Sequence, residues 1–472
     1  MQSGTSKFTR LTPWLFLLCI FLLLTAPYLF TPGMFLDGVT YAAIARNFAF
    51  DGELATHLTY TQTLFPQFVE HPPIHFWLSG MLYKLFGDHE WVENLYCLIT
   101  AAFTAFFIAK IWQVLLPAQR NHFWLPVLLW LLIPAVNWSY SNNMLENTLS
   151  IFVLAATFAY LKFVKSKKIT WLFLAGFFLA AAFFTKGFVA LYIWVLPALY
   201  AWFMADIFSF KKAVTHSVLF VAATAIPALL YLWLVPDAAL MTELYIQKQV
   251  VGSIQHVVTV SSRFFILGDF ILKILIPLIV VAVFYFLAKR TKSGSTFAKN
   301  HANLGWALLL VALSGVLPVM ISLKQRSFYI VSVYPFVALA ISAVAFPFFE
   351  FITVWFQTKK AFYTTLAINI VAVALISLLV NFGGGRDHEM MRDVAAIRHI
   401  TGDGALLQCT ATMRLEESGT HAYLQRYGRL SMGPNVDSDY FLVKTGTQRG
   451  DSLLYQGEML SLYYIENHAL VK

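Results

Sequence analysis

The sequence predicts an all-α polytopic membrane protein with about eleven transmembrane helices, interfacial helices in the first outer loop and a small C-terminal α/β domain. Three observations carry that fold class. Of 472 residues, 59% are hydrophobic and 12% charged, with mean hydropathy +0.68, a balance too apolar for a soluble chain. Apolar runs of bilayer-spanning length recur along the chain. Basic residues fall in alternate connectors between those runs.

The runs lie at roughly 11–30, 95–115, 123–140, 145–163, 170–185, 188–205, 213–235, 269–288, 304–322, 327–349 and 361–381. No small-residue cleavage site follows the first, which is therefore expected to stay as an anchor. With a cytoplasmic N-terminus, the same side receives Lys7 and Arg10, Arg120, Lys162 to Lys168, Lys211 and Lys212, Lys289 to Lys299, and Lys359 and Lys360. That is the positive-inside distribution. It accounts for much of the +9 net charge and removes the need for a nucleic-acid partner. Cys19 and Cys97 lie in apolar runs and Cys409 is alone in the tail, so no disulfide framework is implied.

This topology makes residues 1–381 a membrane domain and 382–472 a small soluble one on the outer side. The outer side also receives the 31–94 loop, the Ser141–Glu146 turn, the Thr185-Lys186-Gly187 corner, the 236–268 loop and the Leu323–Arg326 turn. In the first loop, Asp37 to Ala49 reads as an amphipathic helix with Tyr41, Ile44, Ala45 and Phe48 on one face, ended by Asp51-Gly52. Pro72-Pro73 opens a second helix that runs to Phe86 and is closed by Gly87-Asp88. It is too short to span and is expected to lie along the interface. After Gly383-Gly384-Gly385 the chain turns polar, with a helix over Asp387–Ile400 and strands at Ala405–Cys409, Tyr440–Val443 and Ser461–Ile465.

The chemistry-bearing residues gather on the outer face. Asp37 follows the first span and fits a helix N-cap, yet a carboxylate half-withdrawn from water also suits a general base. Glu70 and His71 precede the proline-initiated helix; an ordinary solvated loop explains them, and so does a polar site. His71 and His75 could share a helix face as half a metal site, but no further His or Cys completes it; no cofactor is required, and a divalent metal stays possible but unsupported. Glu146 sits at the turn between the third and fourth runs, where a loop carboxylate is unremarkable but a membrane-depth one needs a polar cavity. Lys186, Lys324 and Arg326 occupy tight outer turns, against the positive-inside preference, and point to anion binding. Lys248 and Arg263, in a long loop, are weaker candidates. A phosphate headgroup on a long lipid would satisfy these cations, and 44 Phe and 13 Trp offer its tail an aromatic bed.

Phe35-Leu36-Asp37 with Tyr41 and Ala45-Arg46, then Glu70-His71-Pro72-Pro73 with Trp77 and Leu85-Phe86-Gly87, resembles the GT-C integral-membrane glycosyltransferases. The branch is that of the lipid A aminoarabinose transferase and the dolichyl-phosphate-mannose–protein mannosyltransferases. Thr185-Lys186-Gly187 and Lys324-Gln325-Arg326-Ser327-Phe328-Tyr329 fit it too, so the resemblance covers roughly residues 10–345 and fades in the tail. It implies a polyprenyl-phosphate-sugar donor, a lipid, glycan or protein acceptor, inversion at the anomeric carbon and an active site on the outer face of the inner membrane. Asp37 matches the catalytic aspartate, Glu146 a second acidic position, and Lys186 and Arg326 the basic positions near the donor phosphate. Tyr41, Glu70, His71, Lys248, Lys324 and Tyr329 complete the expected substrate-binding set. Two departures stand out: Gly38 where a second acid often follows the aspartate, and His71 where Lys often precedes Pro-Pro.

Two other readings compete. A flippase of lipid-linked sugars predicts mid-span charges and Gly/Pro-broken helices in repeated halves, neither of which is evident. A membrane scaffold leaves the charged turns unexplained.

Overall fold

Proline and glycine set the helix breaks that shape this chain. The computed structural model describes residues 7–50, 56–203, 209–255, 257–290, 299–382, 385–447 and 452–465. The expected Asp51-Gly52 turn, and Gly383-Gly384 at the domain junction, lie outside them.

Among the described residues, eight helical stretches are long and apolar enough to cross a membrane, or nine if one bent pair counts as a single span. The eleven expected runs map onto these with three differences. The first, Lys7–Leu24, contributes only a short apolar helix from Leu11, and the chain breaks at Thr25 before the turn Ala26–Leu29. The third is the bent pair: Pro117–Leu131 and Pro134–Tyr140 meet at 83°. Pro134 supplies no N–H at the break, and Asn137 Nδ2 donates to the freed Leu131 carbonyl at 2.9 Å. The fifth and sixth merge by length and composition into Ile169–Leu199.

Packing shows that this merged stretch reverses direction. Gly176 lies against Ala223 and the Phe184 ring meets Tyr231 at 4.3 Å between centroids, so Ile169–Lys186 runs parallel to Phe210–Leu234. The chain must therefore return between them. It turns at Gly187, whose φ of +73° suits glycine and whose missing side chain makes room for the Tyr245 hydroxyl.

One end of the bundle carries the first loop and the C-terminal domain. Helix Leu36–Phe50 is buried along nearly its whole length, from Gly38 to Asn47 except Thr40, and so has no free polar face. The amphipathic reading fails because the C-terminal domain covers the side expected to meet water. Helix Ile74–Phe86 starts after Pro73 and ends at Gly87 (φ +87°) as expected. It buries His75, Phe76, Ser79, Gly80 and Tyr83 and leaves Leu78, Met81 and Leu85 exposed, as suits an element lying along a bilayer surface.

The C-terminal domain holds helix His388–Thr401 and a five-stranded mixed sheet. Strands β1 (Leu406–Gln408), β2 (Ser431–Gly433), β3 (Tyr440–Lys444), β4 (Ser452–Gln456) and β5 (Leu460–Tyr464) lie in the order β2-β1-β3-β5-β4. The three expected strands are β1, β3 and β5. Buried Asp393 ties helix to sheet by accepting from the amides of Met459 at 2.7 Å and Leu460 at 2.9 Å.

Candidate active site

Asp37 is the second residue of its helix, half-buried, and the backbone around it is held tightly. The Asn142-Asn143 turn, presented by the break at Pro134, does the holding. Phe35 N donates to Asn142 Oδ1 at 2.6 Å, and Asn143 Nδ2 donates to Gly38 O at 3.2 Å. A Cβ on Gly38 would stand 1.9 Å from Asn142 O. That contact explains why no second acid follows Asp37: no side chain fits there.

Glu146 is the second residue of the next helix, Leu145–Ser166, three residues after Asn143. Its side chain is fully buried, with Oε1 paired to Lys186 Nζ and Oε2 without a hydrogen-bond partner. The sequence separates these two by forty residues, but the adjacent helices Leu145–Ser166 and Ile169–Lys186 bring them to the same end. Lys186 Nζ also sits 4.9 Å from the centre of the Tyr329 ring, within reach of a cation–π attraction.

Asp37 feels this surrounding. Burial raises its carboxyl to about 6 from an ordinary 3.8, helped by the charges of Glu146 and Glu70 and opposed by Lys186 and Arg326. Glu70, on the loop before Ile74, is itself raised by burial and lowered in part by Lys324. Lys324 lies in the turn between two spans, with Nζ 3.3 Å from both Gln249 Oε1 and Ser253 Oγ. Burial lowers its ammonium, while Glu70 and Asp37 act the other way. Arg326 is exposed at the same turn, and its charge reaches Asp37.

The remaining expected residues differ in how they meet this cluster. Tyr41, one turn after Asp37, is buried with its hydroxyl 3.2 Å from His71 Nε2. Burial and the charges of Lys186 and Lys324 hold His71 well below its ordinary range, so it is a neutral partner of Tyr41 and not a cation. His75 turns Nδ1 to Thr148 Oγ1 at 2.9 Å, and burial drives it down to about 3. Lys248 projects, exposed, from the wide turn Ile246–Val251. Among the described residues, no three His, Cys, Asp or Glu side chains are grouped to hold a metal ion.

Sequence reasoning missed the Asn142-Asn143 brace and the Gln249 and Ser253 contacts to Lys324. Paired asparagines beside an acid, between apolar runs, were the available signal for the first. Nothing in the sequence signalled the second.

Asp37, Glu70, Glu146, Lys186, Lys324 and Arg326 form one cluster of charges at an end of the membrane bundle, with Lys186 ion-paired to Glu146. Chemically, it can take a proton and neutralise a phosphate.

Comparison with known proteins bears on the fold. Residues 70–233 match the family model of dolichyl-phosphate-mannose-protein mannosyltransferases. The undecaprenyl phosphate-alpha-4-amino-4-deoxy-L-arabinose arabinosyl transferase 1 of Proteus mirabilis is 29% identical over 232 residues. That match spans 48% of this chain and only 40% of the relative. Among solved structures, ArnT from Cupriavidus metallidurans in the apo state has a TM-score of 0.66 at 16% identity, covering 98% of both chains. The same protein bound to undecaprenyl phosphate gives 0.64 at 14% identity, again over 98% of both. The chain has the ArnT fold and resembles the GT-C branch to which its motifs pointed.

Proposed function

We propose that this protein is a polyprenyl-phosphate-dependent membrane glycosyltransferase that moves a sugar to a lipid, glycan or protein acceptor. The observation that carries the reading is the half-buried Asp37, raised to about 6, within electrostatic reach of Lys186, Lys324 and Arg326. A carboxylate with that value is mostly ionised near neutral pH yet accepts a proton readily, as general-base catalysis needs. The resemblance to an undecaprenyl-phosphate-binding structure supports the choice of donor.

In the proposed reaction the acceptor hydroxyl or amine attacks the anomeric carbon from the face opposite the phosphate. The new bond from acceptor to carbon forms as the bond from carbon to phosphate oxygen breaks, so configuration inverts. Asp37 takes the acceptor proton, and the polyprenyl phosphate leaves as a dianion. The charge balance favours this path. One negative charge disappears from Asp37 as one appears on the leaving phosphate, so the net charge of the pocket does not change. Lys186, Lys324 and Arg326 lie where the new charge develops, the preorganised stabilisation that accelerates such steps. Tyr329, beside Lys186, helps line the donor side, and Tyr41 with His71 and Glu70 shapes the acceptor side. Glu146 holds Lys186 in place and keeps one carboxylate oxygen free for a polar group of substrate.

Because the leaving group is a phosphomonoester, side-chain cations suffice and an obligatory divalent metal is not part of the scheme. The reading places the protein in the inner membrane with a cytoplasmic N-terminus, and the pocket and C-terminal domain on the periplasmic side. Lys162, Lys165, Lys211 and Lys359 all lie at helix ends away from Asp37, as that orientation requires.

Purified protein given a radiolabelled polyprenyl-phosphate sugar and candidate acceptors should transfer label, and Asp37→Asn should abolish transfer while the protein stays folded. Full activity in that variant would sink the assignment of the base.

A further inference from the structure

The C-terminal domain covers the Asp37 helix and concentrates its polar contacts at two places, residues 32–35 that lead into the helix and the far end at Arg46 and Asn47. On the N-terminal side, Gly33 (φ +88°) sits so close to Arg386 O that a Cβ would stand 2.0 Å away, and Gly385 packs directly on Pro32. The Tyr423 hydroxyl lies 2.7 Å from Asp387 Oδ2 and 3.3 Å from Met34 O, three residues before Asp37. The Arg386 guanidinium stands 6.0 Å from the Phe35 ring centre.

On the C-terminal side, Arg46 donates to Gln425 O at 2.6 Å and reaches Asp88 at 3.8 Å. Arg426, 2% exposed, donates to Asp88 at 2.8 Å, Glu93 at 2.9 Å and His89 O at 2.9 Å, and its guanidinium stands 5.1 Å from the Tyr83 ring centre. Arg429 adds a second bond to Asp88 at 2.9 Å. Gln425 and Arg426 are delivered together by a wide π-type turn, Leu424–Gly428, an irregularity that recurs at functional sites. Burial opposes the charge on Asp88, but Arg426, Arg46 and Arg429 hold it below the ordinary carboxylate range.

A buried network of this kind is weak evidence for stability, because desolvation offsets much of the attraction; fixing one geometry is its better-attested use. The geometry fixed here is that of one helix. We infer that the C-terminal domain is a two-point clamp on helix Leu36–Phe50, with Tyr423 and Arg426 as positioning residues that hold Asp37 in its place among the charges of Glu146, Lys186 and Arg326. The inference rests on the reading of Asp37 as the base, and it gives the C-terminal domain a part in the reaction besides any contact with acceptor. Asn142 and Asn143 brace the same helix from the membrane side, so loosening the clamp lets its N-terminus tilt away from them toward water.

The test uses the full-length protein with Tyr423→Phe, which removes one hydroxyl, and Arg426→Gln, which opens the ionic end. Hydrogen exchange of the amides over residues 33–41 should speed up in both. Turnover should fall by ~10-fold or more with donor KM unchanged, the signature of a displaced reacting group. The acidic limb of the pH–rate profile should move to lower pH as Asp37 gains water. Glu146, Glu70, Lys186, Lys324 and Arg326, the charged groups that face it, are retained in these variants. Unchanged exchange in Tyr423→Phe overturns the clamp. Faster exchange with a wild-type rate and profile overturns its catalytic role, as does lost activity with an unmoved limb, which means only less native protein. If Arg426→Gln does not fold, Tyr423→Phe decides. Exchange judges the clamp even if Asp37→Asn proves active, so the two failures are distinguishable.

Discussion

Replacing Asp37 by Asn should make the protein more stable while disabling it. Burial and the nearby charges of Glu146 and Glu70 raise the folded-state value to about 6, against an ordinary 3.8. A raised carboxylate value means that the folded state binds the proton more tightly than the unfolded one. The ionised form is therefore a cost to folding, fully present above the folded value and fading as pH falls toward the unfolded one. The difference, 6 − 3.8, is about 2 units, and at ~1.4 kcal/mol per unit the cost is about 3 kcal/mol near pH 7.5. By linkage it drops to roughly half at about pH 5. Asparagine keeps the shape and removes the charge. Thermal unfolding of the purified variant should show a higher midpoint than wild type at about pH 7.5 and a smaller gain at about pH 5. Equal midpoints at both pH values would refute the claim that Asp37 is held in an unfavourable ionised state.

Three further outcomes follow from the same geometry. Glu146→Gln removes a negative charge beside Asp37 and should move the acidic limb of the pH–rate profile down, whereas Lys186→Met removes a positive one and should move it up; shifts in the same direction would break the electrostatic account. Gly38→Ala forces a Cβ into Asn142 O and should cost about 1–3 kcal/mol with loss of turnover, read by thermal melts and the transfer assay; a neutral variant would show that the turn is loose. Dialysis against a chelator should leave turnover unchanged, and loss restored by a single divalent ion would overturn the metal-free scheme.

How far the sequence announces this site depends on the kind of force involved. Asp37, Glu146, Lys186, Lys324 and Arg326 are legible because a charge beside a long apolar run is costly and conspicuous. Their convergence was legible only through topology, since alternate spans return to the same face. The Gly38–Asn142 contact is a backbone approach between segments a hundred residues apart, and no local pattern announces it. His71 is conspicuous because it stands where a lysine is common, but its charge is decided by burial and by Lys186 and Lys324, which only the folded chain brings near it. The apolar stripe of helix Leu36–Phe50 was correctly seen, while its opposite face was assigned to water because the covering domain lies over 330 residues downstream. Strands β2 and β4 escaped notice for different reasons. Ser431–Gly433 is too short for an alternation to register, and Ser452–Gln456 is an edge strand whose leucines face out.

Phosphorus NMR of a defined polyprenyl-phosphate sugar, incubated with the purified protein and acceptor, tests the central claim most directly. Conversion of the phosphodiester resonance to that of the phosphomonoester, with wild type and not with Asp37→Asn, is the outcome this account requires. A donor that crosses the bilayer of a vesicle but keeps its phosphodiester intact would contradict it and favour a flippase.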